Sequence, residues 1–321
     1  MDREIRNILV VRNDRFGEFL LNMPALRALR ETFVNATVIV VADPYVRELA
    51  EAVPFIDEVI EWGRERHSLF EKLRLISLLK RKKIDIAVML NPSREFNVFT
   101  WMAGIPVRVG YDRKWGFLLT RKIKDKKYLG QKHEIEYNLE LVGLLGARTG
   151  DRTLSLKIGE EGINALQELE KSESLVALHP WTSDPVKQWP RENFLRLARK
   201  MRDELNTEVV IIGGKAELES EREFHNRLAS DIINLTGKTS LKGLAGLLKK
   251  CKLLISGDSG PVHLACAVAT PVIAIFRSDI PGKSAKRWGP CSPGSAVVEK
   301  PDLAEITVEE VFEKAKRILN K

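Results

Sequence analysis

The sequence predicts two consecutive α/β domains, each a doubly wound parallel sheet, and three observations lead there. Short β-rich apolar runs alternate with helix-spaced apolar patterns through the first half, which is how parallel βαβ units read. The alternation fades over residues 151–173, a polar helix-like stretch holding Gly159 and Gly162, and then restarts. At 321 residues the chain has length for two domains of ordinary size. We expect the division at 1–155 and 156–321.

In the first domain residues 8–11 (Ile-Leu-Val-Val) read as a strand buried on both faces. Residues 19–33 read as one helix, with Leu20, Met23, Leu26, Leu29 and Arg30 at helical spacing. Strands follow at 37–41, 59–61, 84–90 and 107–110, with helices at 45–52, 68–82 and 97–103. In the second domain strands are expected at 175–179, 208–212, 232–235, 252–256 and 272–276. Helices run between them over 191–205, 218–228, 241–249 and 261–269, and Thr307 caps a terminal helix over 307–319. In such sheets ligands bind beyond the carboxyl ends of the strands, and a crevice between domains is a natural site.

The composition, 44% hydrophobic and 30% charged, is that of a soluble globular protein. No apolar run approaches the ~18 residues that span a bilayer. The start runs almost directly into the first strand, so no signal peptide is expected. Three scattered cysteines, Cys251, Cys266 and Cys291, make neither a disulfide framework nor a metal site, which points to the cytoplasm. Net charge is +8, and residues 1–150, with 26 Lys and Arg against 20 Asp and Glu, carry most of the excess. Nucleic acid, an anionic membrane surface or an acidic substrate would each suit it. A basic nucleic-acid-binding protein is the non-enzymatic reading. It lacks an aromatic platform or recognition-helix motif, so nucleic acid is not the expected partner.

Four stretches carry chemistry. Ser256-Gly257-Asp258-Ser259-Gly260-Pro261-Val262-His263 joins a strand to a helix, and such a turn presents N–H groups and a positive dipole end. Asp258 could equally be a helix cap. Arg12-Asn13-Asp14-Arg15-Phe16-Gly17-Glu18 sets two acids and two Arg after the first strand; a carboxylate there could be a general base, or Asp14 a cap and Glu18 a first-turn acid. The loop from His179 to Pro190, stiffened by Trp and Pro, aims Lys187 as a point charge for phosphate or leaves it in solvent. Gly213-Gly214 permits close ligand approach, and Glu217 could accept from a ribose hydroxyl or cap a helix. No Gly-x-Gly-x-x-Gly occurs, and Gly237-Lys238-Thr239 and Gly282-Lys283-Ser284 lack the earlier glycine of a P-loop, having Ile232 and Arg277 there.

Taken in order, these pieces resemble glycosyltransferase family 9, the lipopolysaccharide heptosyltransferases. The match runs from Arg12-x-Asp14-x-x-Gly17-Glu18 with Pro24-Ala25-Leu26, through His179-Pro180 and Lys187-Gln188-Trp189-Pro190, to Gly213-Gly214 with Glu217. It continues with Leu235-Thr236-Gly237-Lys238-Thr239, the stretch from Ser256 to Ala265, Thr270-Pro271-Val272 and Arg287-Trp288-Gly289-Pro290. The resemblance implies a GT-B fold of two facing Rossmann-like domains with an interdomain cleft, acceptor in the first and donor in the second. It leaves the terminal helix free to pack back on the first domain.

It also implies inverting, metal-independent transfer of heptose from ADP-heptose to a lipopolysaccharide inner-core acceptor. Another nucleotide sugar, or a sugar-nucleotide epimerase, are the alternatives. Glu18 takes the place of the family's catalytic Asp, one C–C bond longer (about 1.5 Å), and Asp14 is the alternative base. Lys187, Thr182 and Ser183 fall where the family contacts the diphosphate. Gly213, Gly237, Lys238, Asp258, Ser259, Gly260 and His263 fall in its donor loops, with Glu217 near the ribose. The acceptor is acidic and lipid-linked, so Arg15, Arg113, Lys114 and Arg121 are candidate contacts. The run from Arg113 to Lys122, with Lys124, Lys126 and Lys127 beyond, either docks at the inner-membrane surface or forms a local loop or hairpin packing Trp115 and Phe117 inward. A cytoplasmic monomer, peripheral to the membrane and needing no cofactor, is expected.

Overall fold

The computed structural model describes residues 4–159, 174–220, 222–230 and 232–320. The chain divides into two compact units, Met1–Arg152 and Thr153–Lys321. Residues 160–173 of the polar stretch expected at the junction lie outside the described residues.

The first unit runs β1 (Asn7–Val11), α1 (Phe16–Leu20), α2 (Met23–Thr32), β2 (Thr37–Ala42), α3 (Arg47–Glu51), β3 (Glu58–Glu61), α4 (Leu69–Arg81), β4 (Ile86–Met89), α5 (Arg94–Met102), β5 (Val107–Tyr111), β6 (Arg121–Ile123) and α6 (Glu134–Gly143). The second runs β7 (Leu175–His179), α7 (Arg191–Leu205), β8 (Glu208–Ile211), α8 (Lys215–Ser220), α9 (Arg222–Asn226), β9 (Ile233–Asn234), α10 (Leu241–Lys250), β10 (Leu253–Gly257), α11 (Gly260–Ala267), β11 (Val272–Arg277), α12 (Ala285–Trp288), β12 (Ala296–Lys300) and α13 (Val308–Leu319). The sheets are ordered β3-β2-β1-β4-β5-β6 and β12-β11-β10-β7-β8-β9, with parallel pairing throughout. Within each unit the order is the doubly wound one, and strand order reverses beside β1 and β4 in the first and beside β7 and β10 in the second.

Helices cover both faces, so the central strands are apolar without alternation: Ile8, Leu9, Val10 and Val11 are all buried, as are Leu253, Leu254 and Ile255. Helix α4 starts where the sequence predicts. Ser68 accepts from the Glu71 amide at 3.3 Å, and Glu71 accepts from the Ser68 amide at 2.7 Å, a reciprocal capping box.

The single helix expected over 19–33 is two. Asn22 donates to the carbonyls of Glu18 and Phe19 at 2.9 and 3.0 Å, and Pro24, in the first turn of α2, has no N–H to continue α1. Four elements escape the sequence reading: the edge strands β6 and β12, which carry Arg121, Lys122, Glu299 and Lys300, helix α6 and the short helix α12. Edge strands are often charged, which erases an apolar run. Helix α13 packs against α7, β10 and β11 of its own unit. Trp189, fully buried, secures the approach to it by donating Nε1 to the Ile306 carbonyl at 2.9 Å.

Candidate active site

In the first unit the turn after β1 carries Asp14, Arg15 and Glu18, with Arg15 preceding α1 and Glu18 in its only full turn. Arg12 is buried; its Nε donates to Asp14 Oδ1 at 2.7 Å and its guanidinium to the Leu90 carbonyl, at the end of β4, at 3.2 Å. Burial alone would lower the Arg12 guanidinium, but Asp14, Glu134 and Glu18 outweigh it and hold it raised. Asp14 is thereby committed as a counter-ion. Glu18 is half-buried, and desolvation, then the charge of Asp14, pushes its carboxyl up, with Arg12 and Arg15 pulling the other way. A carboxylate whose hold on a proton is raised in this way suits general-base chemistry.

Arg113 and Lys114 follow β5, while Arg121 lies on β6 beside Val109 and donates to the Leu144 carbonyl at 2.7 Å. The inward-packed hairpin does not form: β6 runs parallel to β5, and Trp115 and Phe117 stay 43% and 71% exposed. Arg94 stacks on Trp115, 3.9 Å from the ring centroid. Several cations of this run have partners within the unit. Arg113 pairs with Asp125 at 2.8 Å and Lys122 with Asp112 at 3.0 Å, and Lys127 is buried rather than offered to a surface.

In the second unit, four loops at the carboxyl ends of adjacent parallel strands gather the donor-loop candidates. His179 and Ser256 are register partners on β7 and β10. The Nδ1 of His179 lies 3.2 Å from Ser256 Oγ and 3.1 Å from Ser259 Oγ, and the two hydroxyls are 2.8 Å apart. Burial pushes His179 down to about 4, so the ring is neutral at physiological pH. Ser259, preceding α11, turns its hydroxyl to this cluster and does not cap the helix.

Lys187 Nζ sits 2.5 Å from Asp258 Oδ2, joining the loop after β7 to that after β10. Burial raises the Asp258 carboxyl, and Lys187 offsets this only in part. A Cβ on Gly257 would crowd Thr182 Cγ2 at 3.0 Å, so the loop after β7 packs closely on the end of β10. Thr182 donates to the Asp184 carbonyl at 2.8 Å, Asp184 pairs with Lys283 at 2.7 Å, and Ser183 is exposed between them.

The loops after β8 and β9 meet through Gly237, whose amide donates to the Gly213 carbonyl at 2.9 Å. Gly213 admits the Trp181 ring, which a Cβ would approach to 2.5 Å. Glu217 accepts from the Gly214 amide at 3.0 Å at the start of α8, the capping role open to it in the sequence. Lys238 is exposed and His263 is buried on α11 beside Trp288. Spacing could not reveal the residues that link these loops, Trp181 and His179, or the partners of Arg12. A helical pattern with Ile135, Asn138, Leu141 and Val142 on one side was the available signal for α6. Among the described residues no group of three or more His, Cys, Asp or Glu is placed to hold a metal, and no helix is long and apolar enough to cross a membrane.

The model for glycosyltransferase family 9 (heptosyltransferase) matches residues 72–315. Lipopolysaccharide heptosyltransferase 2 of Escherichia coli (strain K12) is 26% identical over 293 residues, covering 85% of this chain and 83% of that protein. Two solved structures share the fold. A family 9 glycosyl transferase from Veillonella parvula has a TM-score of 0.86 at 22% identity, covering 100% of this chain and 99% of that one. The E. coli ADP-heptose LPS heptosyltransferase II has a TM-score of 0.84 at 23% identity, covering 98% of each chain.

Proposed function

The chain belongs to glycosyltransferase family 9 (heptosyltransferase), and from that premise we propose that it moves a heptose from ADP-heptose to the inner core of lipopolysaccharide, with inversion and without a metal ion. The observation that carries the reading is the gathering of Lys187, Asp258, Ser259 and the start of α11 beside β7 and β10. An ammonium and a helix N-terminus at the strand-order reversal suit a nucleoside diphosphate. Similarity to the E. coli heptosyltransferases, one of them an ADP-heptose LPS heptosyltransferase, supports the choice of nucleotide and sugar.

Glu18 takes the proton of an acceptor hydroxyl as that oxygen attacks the anomeric carbon from the face opposite the leaving ADP, so the configuration inverts. The carbon–oxygen bond to the diphosphate breaks, and its electron pair leaves with ADP. Lys187, released in part from Asp258, and the dipole of α11 meet the new charge. Thr182, Ser183 and Gly260 line the diphosphate, and Gly213, Glu217, Gly237 and Lys238 border the nucleoside.

Arg15, Arg113, Lys114 and Arg121 meet the acidic acceptor, and exposed Trp115 and Phe117 with their basic neighbours rest on the cytoplasmic face of the inner membrane, where the enzyme works as a monomer. Sedimentation with anionic and neutral vesicles tests the last point; equal binding to both would remove the electrostatic part. For the chemistry, Glu18→Gln should lower kcat by ~10²–10⁴ with ADP binding intact. Near-normal turnover in that variant, or a comparable loss only in Asp14→Asn, would overturn the assignment. EDTA should leave the rate unchanged.

A further inference from the structure

The first unit buries a line of charge that the reaction above does not use. Arg12, Lys127 and Glu134 are 4%, 8% and 1% exposed. They come from the end of β1, the turn after β6 and the first position of α6. Glu134 Oε1 accepts from Lys127 Nζ at 2.5 Å and lies 3.8 Å from the Arg12 guanidinium. Arg12 passes the line on to Asp14. Lys127 also reaches Asn138 Oδ1 at 3.5 Å and the Tyr111 ring at 4.7 Å, and Asn138 donates to the Leu21 carbonyl at 3.2 Å. Leu21 ends α1, the helix that bears Glu18. Both ends of the reactive turn are therefore tied to one buried cluster.

Stability alone gives a poor reason for this cluster. Desolvating such ions costs several kcal/mol each, and a well-packed apolar set of the same volume is often as stable or more so.

We propose that Glu134 and Lys127 are positioning residues for the base: through Arg12 they hold Asp14 as a counter-ion and leave Glu18 to take the acceptor proton. The inference rests on Glu18 being the base. Among the described residues, the charges bearing on Glu18 include Asp14, Arg12 and Arg15; those bearing on Arg12 include Asp14, Glu18 and Glu134; Glu134 faces Arg12 and Lys127 and bears on Tyr111, and Lys127 also bears on Asp125. Loss of the Glu134 charge frees Arg12 to turn toward Glu18, which favours the ionised carboxylate and weakens it as a base. Loss of the Lys127 charge leaves more of the Glu134 charge to Arg12 and draws the guanidinium away, with the opposite effect.

The test compares the full-length Glu134→Gln and Lys127→Met variants by the pH profile of kcat, ADP affinity by calorimetry and melting temperature. The expected result is a fall in kcat of about tenfold or more in each, with ADP affinity within about twofold, since positioning errors act on the chemical step. The acid limb moves by about half a pH unit or more, downward in Glu134→Gln and upward in Lys127→Met. In a Glu18→Gln background neither change lowers the residual rate further. Limbs that stay put or move the same way would overturn the proposal, as would loss of ADP affinity. Should one variant fail to fold, the other still fixes the sign. An active Glu18→Gln enzyme sinks the base assignment itself, whereas an inactive one alongside fully active Glu134→Gln and Lys127→Met sinks only the positioning role.

Discussion

Lowering the pH from 7 to 4.5 should cost the folded chain roughly 2.5 kcal/mol at a single residue, His179. Its ring is buried at the end of β7, and its Nδ1 meets the hydroxyls of Ser256 and Ser259; among the described residues desolvation is what acts on it. Burial pushes it down to about 4, against about 6.5 in an unfolded chain. The unfolded state therefore takes the proton first. The contribution is complete above about pH 6.5 and is lost as the pH falls toward about 4. At pH 4.5 the unfolded histidine is almost fully protonated and the folded one about a quarter so, which yields the figure above at about 1.4 kcal/mol per pH unit. Urea unfolding of the parent and His179→Asn at both pH values isolates it, because Glu18, Asp258 and other acids titrate in both proteins and cancel. The parent should lose roughly 2.5 kcal/mol more than the variant over this interval. Parallel losses, within about 0.5 kcal/mol, would refute the burial argument.

Removing Lys187 as Lys187→Met leaves Asp258 buried without its cation, which should destabilise the chain by about 3 kcal/mol and weaken ADP binding by about 30-fold or more. Adding Asp258→Asn should restore most of the melting temperature but not the affinity, as calorimetry with ADP would show. Gly213→Ala forces a Cβ to within 2.5 Å of the Trp181 ring and 3.0 Å of Thr236, and thermal melts should show a loss of about 1–3 kcal/mol. Gly214→Ala meets only the Glu217 side chain, a movable carboxylate end at 2.8 Å, so its loss should be distinctly smaller.

The central strands were legible because a parallel sheet covered on both faces demands uninterrupted apolar runs, as at Ile8–Val11 of β1 and in β10. Edge positions follow no such demand, and Arg121 and Lys122 in β6 disguise a strand as a basic loop. The turns that end β1, β7 and β10 were legible too, since glycine, acid and hydroxyl residues crowd where a strand hands over to a helix. What joins those turns was not. Arg12 meets Glu134, His179 meets Ser259 and Trp181 lies over Gly213, and no periodicity connects positions so far apart in the chain. Lys127 shows the consequence: its place in a basic run suggested a surface, while Glu134 accounts for its burial.

The most direct test of the central claim is to incubate the chain with ADP-heptose, with and without a lipopolysaccharide acceptor truncated before its heptose region, following ADP release and product mass. ADP release that depends on the acceptor is expected, together with an acceptor heavier by one heptosyl group in inverted anomeric configuration. Equal ADP release without acceptor, or transfer from another nucleotide sugar but none from ADP-heptose, would contradict it.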